Sequence, residues 1–277
     1  MNIIELLLHR GLPGKAKVKL VRHQDQRYDV QELYRTGHLT TYQGYQAKPI
    51  FECDYIVSFI GLEGSLARFI GVYKIVERQK SSDVPLPPDF PYPELAAEDD
   101  VFYQLKQIAG FEDLEDRVII DWGKGALAWH QWLKEKEVVE VLPKGYVADF
   151  PGYLDFILTF QELSTIINNP SANREWHRML GGVAGVYIIV DGGDGKQYVG
   201  SAYGADGILG RWRQYAKTGH GGNVRLKELL TENPKAGDRF RFSILQTLPR
   251  TLTLSEVITY EELYKKKLGA RAFGLNT

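Results

Sequence analysis

The sequence predicts an α+β protein of two domains: a strand-rich α+β domain first, then a small three-stranded antiparallel sheet flanked by helices. Three observations carry this expectation. Runs of β-branched and aromatic residues dominate the first part of the chain. Spacings suited to helices with one buried face gather after residue 150. Near the end, two short apolar strands flank a glycine-rich turn and are followed by further helical stretches.

Residues 1–80 read as strands. Asp54–Ile60 and Ala67–Val76 are rich in valine, isoleucine and aromatics, and Gly61–Ser65 makes a short loop between them. Ser81–Pro93 holds five prolines and is expected to be an extended loop, because proline neither continues a helix nor donates to a sheet. Val118–Trp122 reads as another strand, Leu127–Lys136 as a helix, and Val138–Leu142 as a strand. A helix is expected over Asp155–Ile167, with Phe156, Leu163, Ile166 and Ile167 on one face, and a second over Arg174–Leu180. The domain boundary is placed between them, giving residues 1–172 and 173–277.

Ala184–Val190 alternates about Val186, Ile188 and Val190, so Tyr187 and Ile189 face the other way. Asp191–Gly195 is a turn, and Lys196–Val199 returns as the second strand of a hairpin that brings Tyr187 and Tyr198 together. Gly210–Tyr215 has helical character, which puts Arg211 and Tyr215 on one face. Phe240–Leu245 supplies the third strand, and Glu261–Lys265 lies on the last helix.

Composition bounds the function. The chain has 277 residues, 44% apolar and 25% charged, as soluble globular proteins do. Cys53 is the one cysteine, so no internal disulfide is expected, and no Cys/His spacing suggests zinc. The apolar run in Met1–His9 is too short and interrupted for a signal peptide or membrane span, and a cytoplasmic location is the default expectation. The net charge of −1 hides an asymmetry: Asn173–Thr277 carries 16 Lys/Arg and 10 Asp/Glu (+6), leaving 18 and 25 (−7) for residues 1–172. A basic module beside an acidic one suits a phosphate-binding domain joined to something else.

The order Gly185-Val186-Tyr187, Tyr198-Val199-Gly200, Arg211, Glu261, Asn276 resembles the GIY-YIG nuclease family over about residues 183–277, a third of the chain. Valine replaces isoleucine in both name motifs, an equally apolar and β-branched residue. Gly71-Val72-Tyr73 imitates the first motif, but no Tyr-Val-Gly follows at the right distance. The spacing from Glu261 to Asn276 is similar to that of the phage homing-endonuclease branch.

The resemblance implies a Mg²⁺-dependent endonuclease, with Mn²⁺ as substitute, acting on DNA. It gives Glu261 the metal-ligand position, with Glu262 a solvated neighbour and Glu256 a weaker candidate. Arg211 would grip the scissile phosphate through a donor fork that lysine lacks. Tyr187 would accept the attacking water's proton, Tyr198 would hydrogen-bond beside it, and Tyr215 would take the position one turn after the arginine. Asn276 is either catalytic or an orderer of the sheet. His220 is either a substrate contact or a plain loop histidine, while Arg213, Lys217 and Arg225 are read as DNA-backbone contacts. Lys265-Lys266-Lys267 is read as a solvated helix face.

Such a nuclease module works with a targeting element, which gives that role to the first domain. Its strand-rich character and Phe59-Ile60-Gly61…Phe69-Ile70-Gly71-Val72-Tyr73 resemble PUA-like barrels, some of which read modified bases. Trp122, Trp129, Trp132 and Tyr103 are candidates to stack on a flipped base, although core packing is the commoner role of such residues. Lys15, Lys17, Lys19 and Arg22 form a candidate basic patch. Restriction or defence is the leading role; structure-specific repair or recombination cleavage is the alternative, and a non-catalytic DNA-binding protein with a nuclease fold is a third reading. One active site cuts one strand per engagement, so double-strand cutting calls for a homodimer or sequential nicks.

Overall fold

The computed structural model describes residues 1–96, 101–125 and 128–276. It is a mixed α+β structure that divides into two compact units, Met1–Leu142 and Pro143–Thr277.

The first unit runs α1 (Ile3–His9), β1 (Val18–His23), α2 (Val30–Arg35), α3 (Leu39–Gly44), β2 (Tyr45–Gln46), β3 (Tyr55–Gly61), β4 (Leu66–Lys80), β5 (Val101–Gln107), β6 (Val118–Asp121), β7 (His130–Trp132) and β8 (Val138–Val141). These strands form one sheet with the order β2-β5-β4-β3-β1-β7, and β6 joins β4 to β8. β1 and β3 are parallel, while the other pairs are antiparallel. β3 and β4 form the expected hairpin, and their apolar residues Val57, Phe59, Phe69 and Val72 are buried.

Several expectations for this unit are corrected. The segment read as strands also contains α1 to α3. α1 is fixed by a capping box between Asn2 and Glu5, and Asp29 caps α2 by accepting from Glu32 N. The helix expected over Leu127–Lys136 is not found: Leu127 lies outside the described residues, and His130–Trp132 is a strand paired with Lys19–Val21. Sheet pairing there outweighs local helix propensity. Trp122 and Tyr103 are core residues, with Trp122 Nε1 donating to Ala128 O, whereas Trp129 and Trp132 are exposed. The basic patch is dispersed. Lys19 is buried and donates to Ile50 O, and Arg22 is buried with its guanidinium on the carbonyls of Leu62, Gly64 and Leu66.

The second unit runs β9 (Leu158–Thr159), α4 (Phe160–Asn168), α5 (Arg174–Gly182), β10 (Ala184–Asp191), β11 (Gln197–Ala202), α6 (Gly207–Thr218), α7 (Val224–Glu232), β12 (Phe240–Leu248) and α8 (Leu254–Leu268). Its antiparallel sheet has the order β11-β10-β12-β9, so it holds four strands where three were expected. The extra strand is the two residues before α4: Leu158 pairs with Phe242, and Thr159 with Arg241. Thr159 and Glu162 then form a capping box, which starts α4 five residues later than periodicity alone suggests. These contacts also explain why the boundary falls after Leu142 rather than after residue 172. Leu163 and Ile166 of α4 and Trp176 of α5 belong to the same core as Tyr187, Trp212, Phe240 and Phe242.

Candidate active site

α6 presents Ile208, Trp212 and Tyr215 to that core at helical spacing, which turns Arg211 toward the rim beside them. Its end is set by Gly219 in the left-handed region. β10 carries Tyr187 at a bulge: Val186 faces Gln246, Tyr187 faces Ile244, and Leu245 is the extra residue. On the other side Tyr187 faces Gly200, while Tyr198 faces Ile189. The two tyrosines share a face but stand two residues apart along the hairpin.

Gly200 is needed for close approach. A Cβ there would lie 2.5 Å from Tyr187 Oη and 2.8 Å from the Tyr198 ring, so any side chain would displace both phenols.

The guanidinium of Arg211 organises the cluster. Its Nε donates to Tyr187 Oη (3.2 Å), one terminal nitrogen to Tyr215 Oη (3.2 Å), and the other to Gly221 O (2.7 Å) and Gln214 Oε1 (2.6 Å). The Tyr187 and Tyr215 hydroxyls are 3.1 Å apart and hydrogen-bonded. Tyr215, not Tyr198, is therefore the hydrogen-bond partner of Tyr187. The reason is register, since Tyr198 sits beside Ile189. Burial pushes both the Tyr187 and Tyr215 phenols above the ordinary tyrosine range, and the Arg211 charge only partly offsets this.

Arg211, Tyr198, Glu261 and Lys265 line one cleft of about 790 Å³, with Ser201 and Asp206 also on its wall. Glu261 comes from α8. One of its oxygens is 2.5 Å from Lys265 Nζ, and the other accepts from the Ser201 hydroxyl. Lys265 also reaches Glu262 at 3.1 Å, and Glu262 pairs with Arg271 at 2.9 Å. Two sequence readings are corrected here. The Lys265 side chain is only 12% exposed and belongs to the cleft, and Glu262 is ion-paired rather than simply solvated. Glu256 is taken up by its capping box with Thr253.

Among the described residues no group of three or more His, Cys, Asp or Glu could hold a metal ion. The donor set still suits Mg²⁺, which binds through one or two carboxylates and fills its remaining positions with water and substrate phosphate. Glu261 is such a carboxylate on an open cleft, and Lys265 has Glu262 as an alternative partner when it yields.

The remaining candidates lie elsewhere. Asn276 is buried, and its amide closes a two-way pair with Val199, accepting from N at 2.8 Å and donating to O at 2.7 Å. With Leu275 N on Gln197 O, it completes the outer edge of β11 and so acts on the sheet. His220 accepts from Gly222 N in the loop whose Gly221 carbonyl holds Arg211; it does not line the cleft. Arg213 pairs with Asp206 at 3.5 Å, Arg225 with Glu228 at 3.7 Å, and Lys217 is exposed on the last turn of α6. Sequence reasoning missed Ser201, Gln214, Gly221 and Lys265. Lys265 and Gln214 carried a signal, lying four residues after Glu261 and three after Arg211 on their helices.

No family model matches this chain, and no curated protein matches it. Two solved structures do, one described as the catalytic domain of the intron endonuclease I-TevI in a point-mutant form and the other as the catalytic domain of the homing endonuclease I-TevI. The mutant is 25% identical, covering 34% of this chain and 92% of that one, with a TM-score of 0.28. The other is 26% identical, covering 34% and 96%, also with a TM-score of 0.28. No described helix is long and apolar enough to cross a membrane.

Proposed function

We propose that the second unit is a Mg²⁺-dependent DNA endonuclease and that the first selects its target, in a restriction or defence role. The observation that carries this reading is the Arg211 guanidinium, fixed to two buried phenols at the edge of a cleft that also holds Glu261.

Hydrolysis of a phosphodiester builds negative charge on the phosphoryl and leaving oxygens, and fixed positive charge lowers that barrier. A guanidinium has five N–H groups. Four of those on Arg211 are held by Tyr187, Tyr215, Gly221 and Gln214, which leaves one terminal N–H for a phosphate oxygen. Those four bonds fix the plane of the fork before substrate arrives, so little ordering remains to be done at the reaction. Mg²⁺ held at Glu261 would supply the second positive charge and orient the phosphate.

Tyr187 Oη accepts from Arg211, but the side chain is fully buried and does not line the cleft, so for it to take the proton of an attacking water the phenol must be ionised and the cluster must open to the cleft. Because burial raises its pKa, phenolate is scarce at neutral pH, and cleavage by this route speeds up as pH rises. Tyr215, bonded to both the Tyr187 hydroxyl and the same guanidinium, closes a ring of hydrogen bonds that holds the Tyr187 oxygen in place. One such site cuts one strand, so cleavage of both strands proceeds through two copies of the chain or two engagements.

The test is cleavage with Mg²⁺ of unmodified plasmid, cytosine-modified plasmid and a branched junction. Cutting of either plasmid at defined sites supports restriction. Cutting confined to the junction replaces it with a structure-specific repair nuclease. Binding without cleavage of any of them, with Mg²⁺ or Mn²⁺, leaves a DNA-binding protein.

A further inference from the structure

Lys265 differs from the two lysines that follow it. Lys266 and Lys267 are exposed, whereas the Lys265 side chain is only 12% exposed and lines the cleft. An ammonium that gives up water needs anionic partners. Lys265 has two, Glu261 at 2.5 Å and Glu262 at 3.1 Å, so two carboxylates of α8 hold one ammonium.

The two carboxylates are not equivalent. Glu262 has a second cation, Arg271, which reaches its oxygens at 3.0 and 2.9 Å. Glu261 has no second cation among the described residues, and its other oxygen accepts from the Ser201 hydroxyl. In the resting chain Lys265 therefore balances the charge of Glu261. Glutamate four residues before lysine on a helix is the favourable order, so this pair forms without any ligand.

A divalent ion and an ammonium repel strongly at one carboxylate oxygen, so a metal on Glu261 drives Lys265 off it. Glu262 keeps the released ammonium in the cleft. That carboxylate then serves both Arg271 and Lys265 with a single charge, and Lys265 has N–H groups to spare. Asp206, also on the cleft wall, already pairs with Arg213 at 3.5 Å. The freed charge calls for an anion from outside, and it lies in the same cleft as the one Arg211 N–H left for a phosphate oxygen. DNA offers such an anion at every nucleotide.

We propose that Lys265 is a hand-off residue: it holds Glu261 in the resting chain and passes to a DNA backbone phosphate when a divalent ion takes that carboxylate. This rests on the reading of Glu261 as the metal ligand. The second grip on the backbone then appears only once the metal is in place, so an enzyme unable to cut holds its substrate less firmly. Being a phosphate contact, it carries no sequence information and leaves target choice to other residues.

The test is the salt dependence of DNA binding by the full-length chain, because each backbone contact adds about 0.9 to the slope of log affinity against log salt. A labelled phosphorothioate duplex keeps the backbone charge and resists hydrolysis. With Mn²⁺, Lys265→Met should lower the slope by about one and Lys265→Arg should preserve it; in EDTA, Lys265→Met should leave it unchanged. Glu261→Ala frees the ammonium without any metal, so its slope in EDTA should exceed that of wild type by about one. Adding Lys265→Met to Glu261→Ala should return it to the wild-type value. Equal slopes for wild type and Glu261→Ala in EDTA, or a loss in Lys265→Met already present in EDTA, overturns the hand-off. The expected Glu261→Ala result, with Lys265→Met and wild type alike in Mn²⁺, instead overturns Glu261 as the metal ligand and with it the trigger.

Discussion

Lys265 Nζ stands 2.5 Å from Glu261 Oε1, in the cleft where a divalent cation would need that carboxylate. Both side chains are largely buried, at 12% and 17% exposure, so the ammonium competes with any incoming cation for the same oxygen. Lys265→Met should therefore tighten Mn²⁺ binding by about tenfold, the scale of one partly buried ion pair. Glu261→Ala should abolish that binding. Electron paramagnetic resonance of free Mn²⁺ measures both, and unchanged or weaker binding in Lys265→Met counts against the competition.

Arg211→Lys keeps the charge but loses the fork that joins Tyr187, Tyr215, Gly221 and Gln214. Loss of a preorganised charge-stabilising donor costs about 3 kcal/mol, so kcat should fall on the order of a hundredfold or more. Single-turnover cleavage rates check this, and a loss below threefold would mean the fork is dispensable.

The buried phenols make a prediction about pH. The folded-state pKa values of Tyr187 and Tyr215 are raised, so their contribution to stability is complete below the unfolded value of about 10 and is lost as pH climbs past it. Urea midpoints measured from pH 8 to 11 should fall at the alkaline end, and less steeply in Tyr187→Phe. Equal slopes would mean that the phenol is not held neutral by the fold.

His23 acts at the acid end. Its folded pKa of about 4 lies below the ordinary 6.5, so its stabilising effect is complete above pH 6.5 and drains away as pH falls toward 4. The full effect is on the order of 3 kcal/mol. His23→Gln should flatten the acid limb of the stability curve measured by denaturant unfolding, and an unchanged limb would place the acid sensitivity elsewhere.

Asn276→Ala removes two hydrogen bonds and leaves buried groups of Val199 without partners. A loss of about 2 kcal/mol of stability is expected, with KM nearly unchanged. A large fall in kcat at full stability would return Asn276 to a catalytic role.

How much the sequence reveals depends on whether an interaction is local. The hairpin strands around Tyr187 and Tyr198 are legible because alternation and a glycine-rich turn are encoded within a few residues. Placing Arg211 and Tyr215 on one face is equally local. The bulge that offsets β12 at Tyr187 depends on a strand more than fifty residues away, and no local pattern announces it. The same holds for β9, whose two residues gain their structure only from Phe242 and Arg241. Lys265 lies inside a run of three lysines; its spacing of four from Glu261 is the one local sign of its role, and its burial comes only with the fold. In the first unit His130–Trp132 reads as helix locally, but β1 recruits it as a strand.

The most direct measurement is single-turnover cleavage of a DNA duplex with Mg²⁺ by wild type, Arg211→Ala and Glu261→Ala. We expect product from wild type and losses of at least a hundredfold in both variants, with the fold intact by circular dichroism. Cleavage by either variant at the wild-type rate would contradict a phosphodiesterase site built on Arg211 and Glu261.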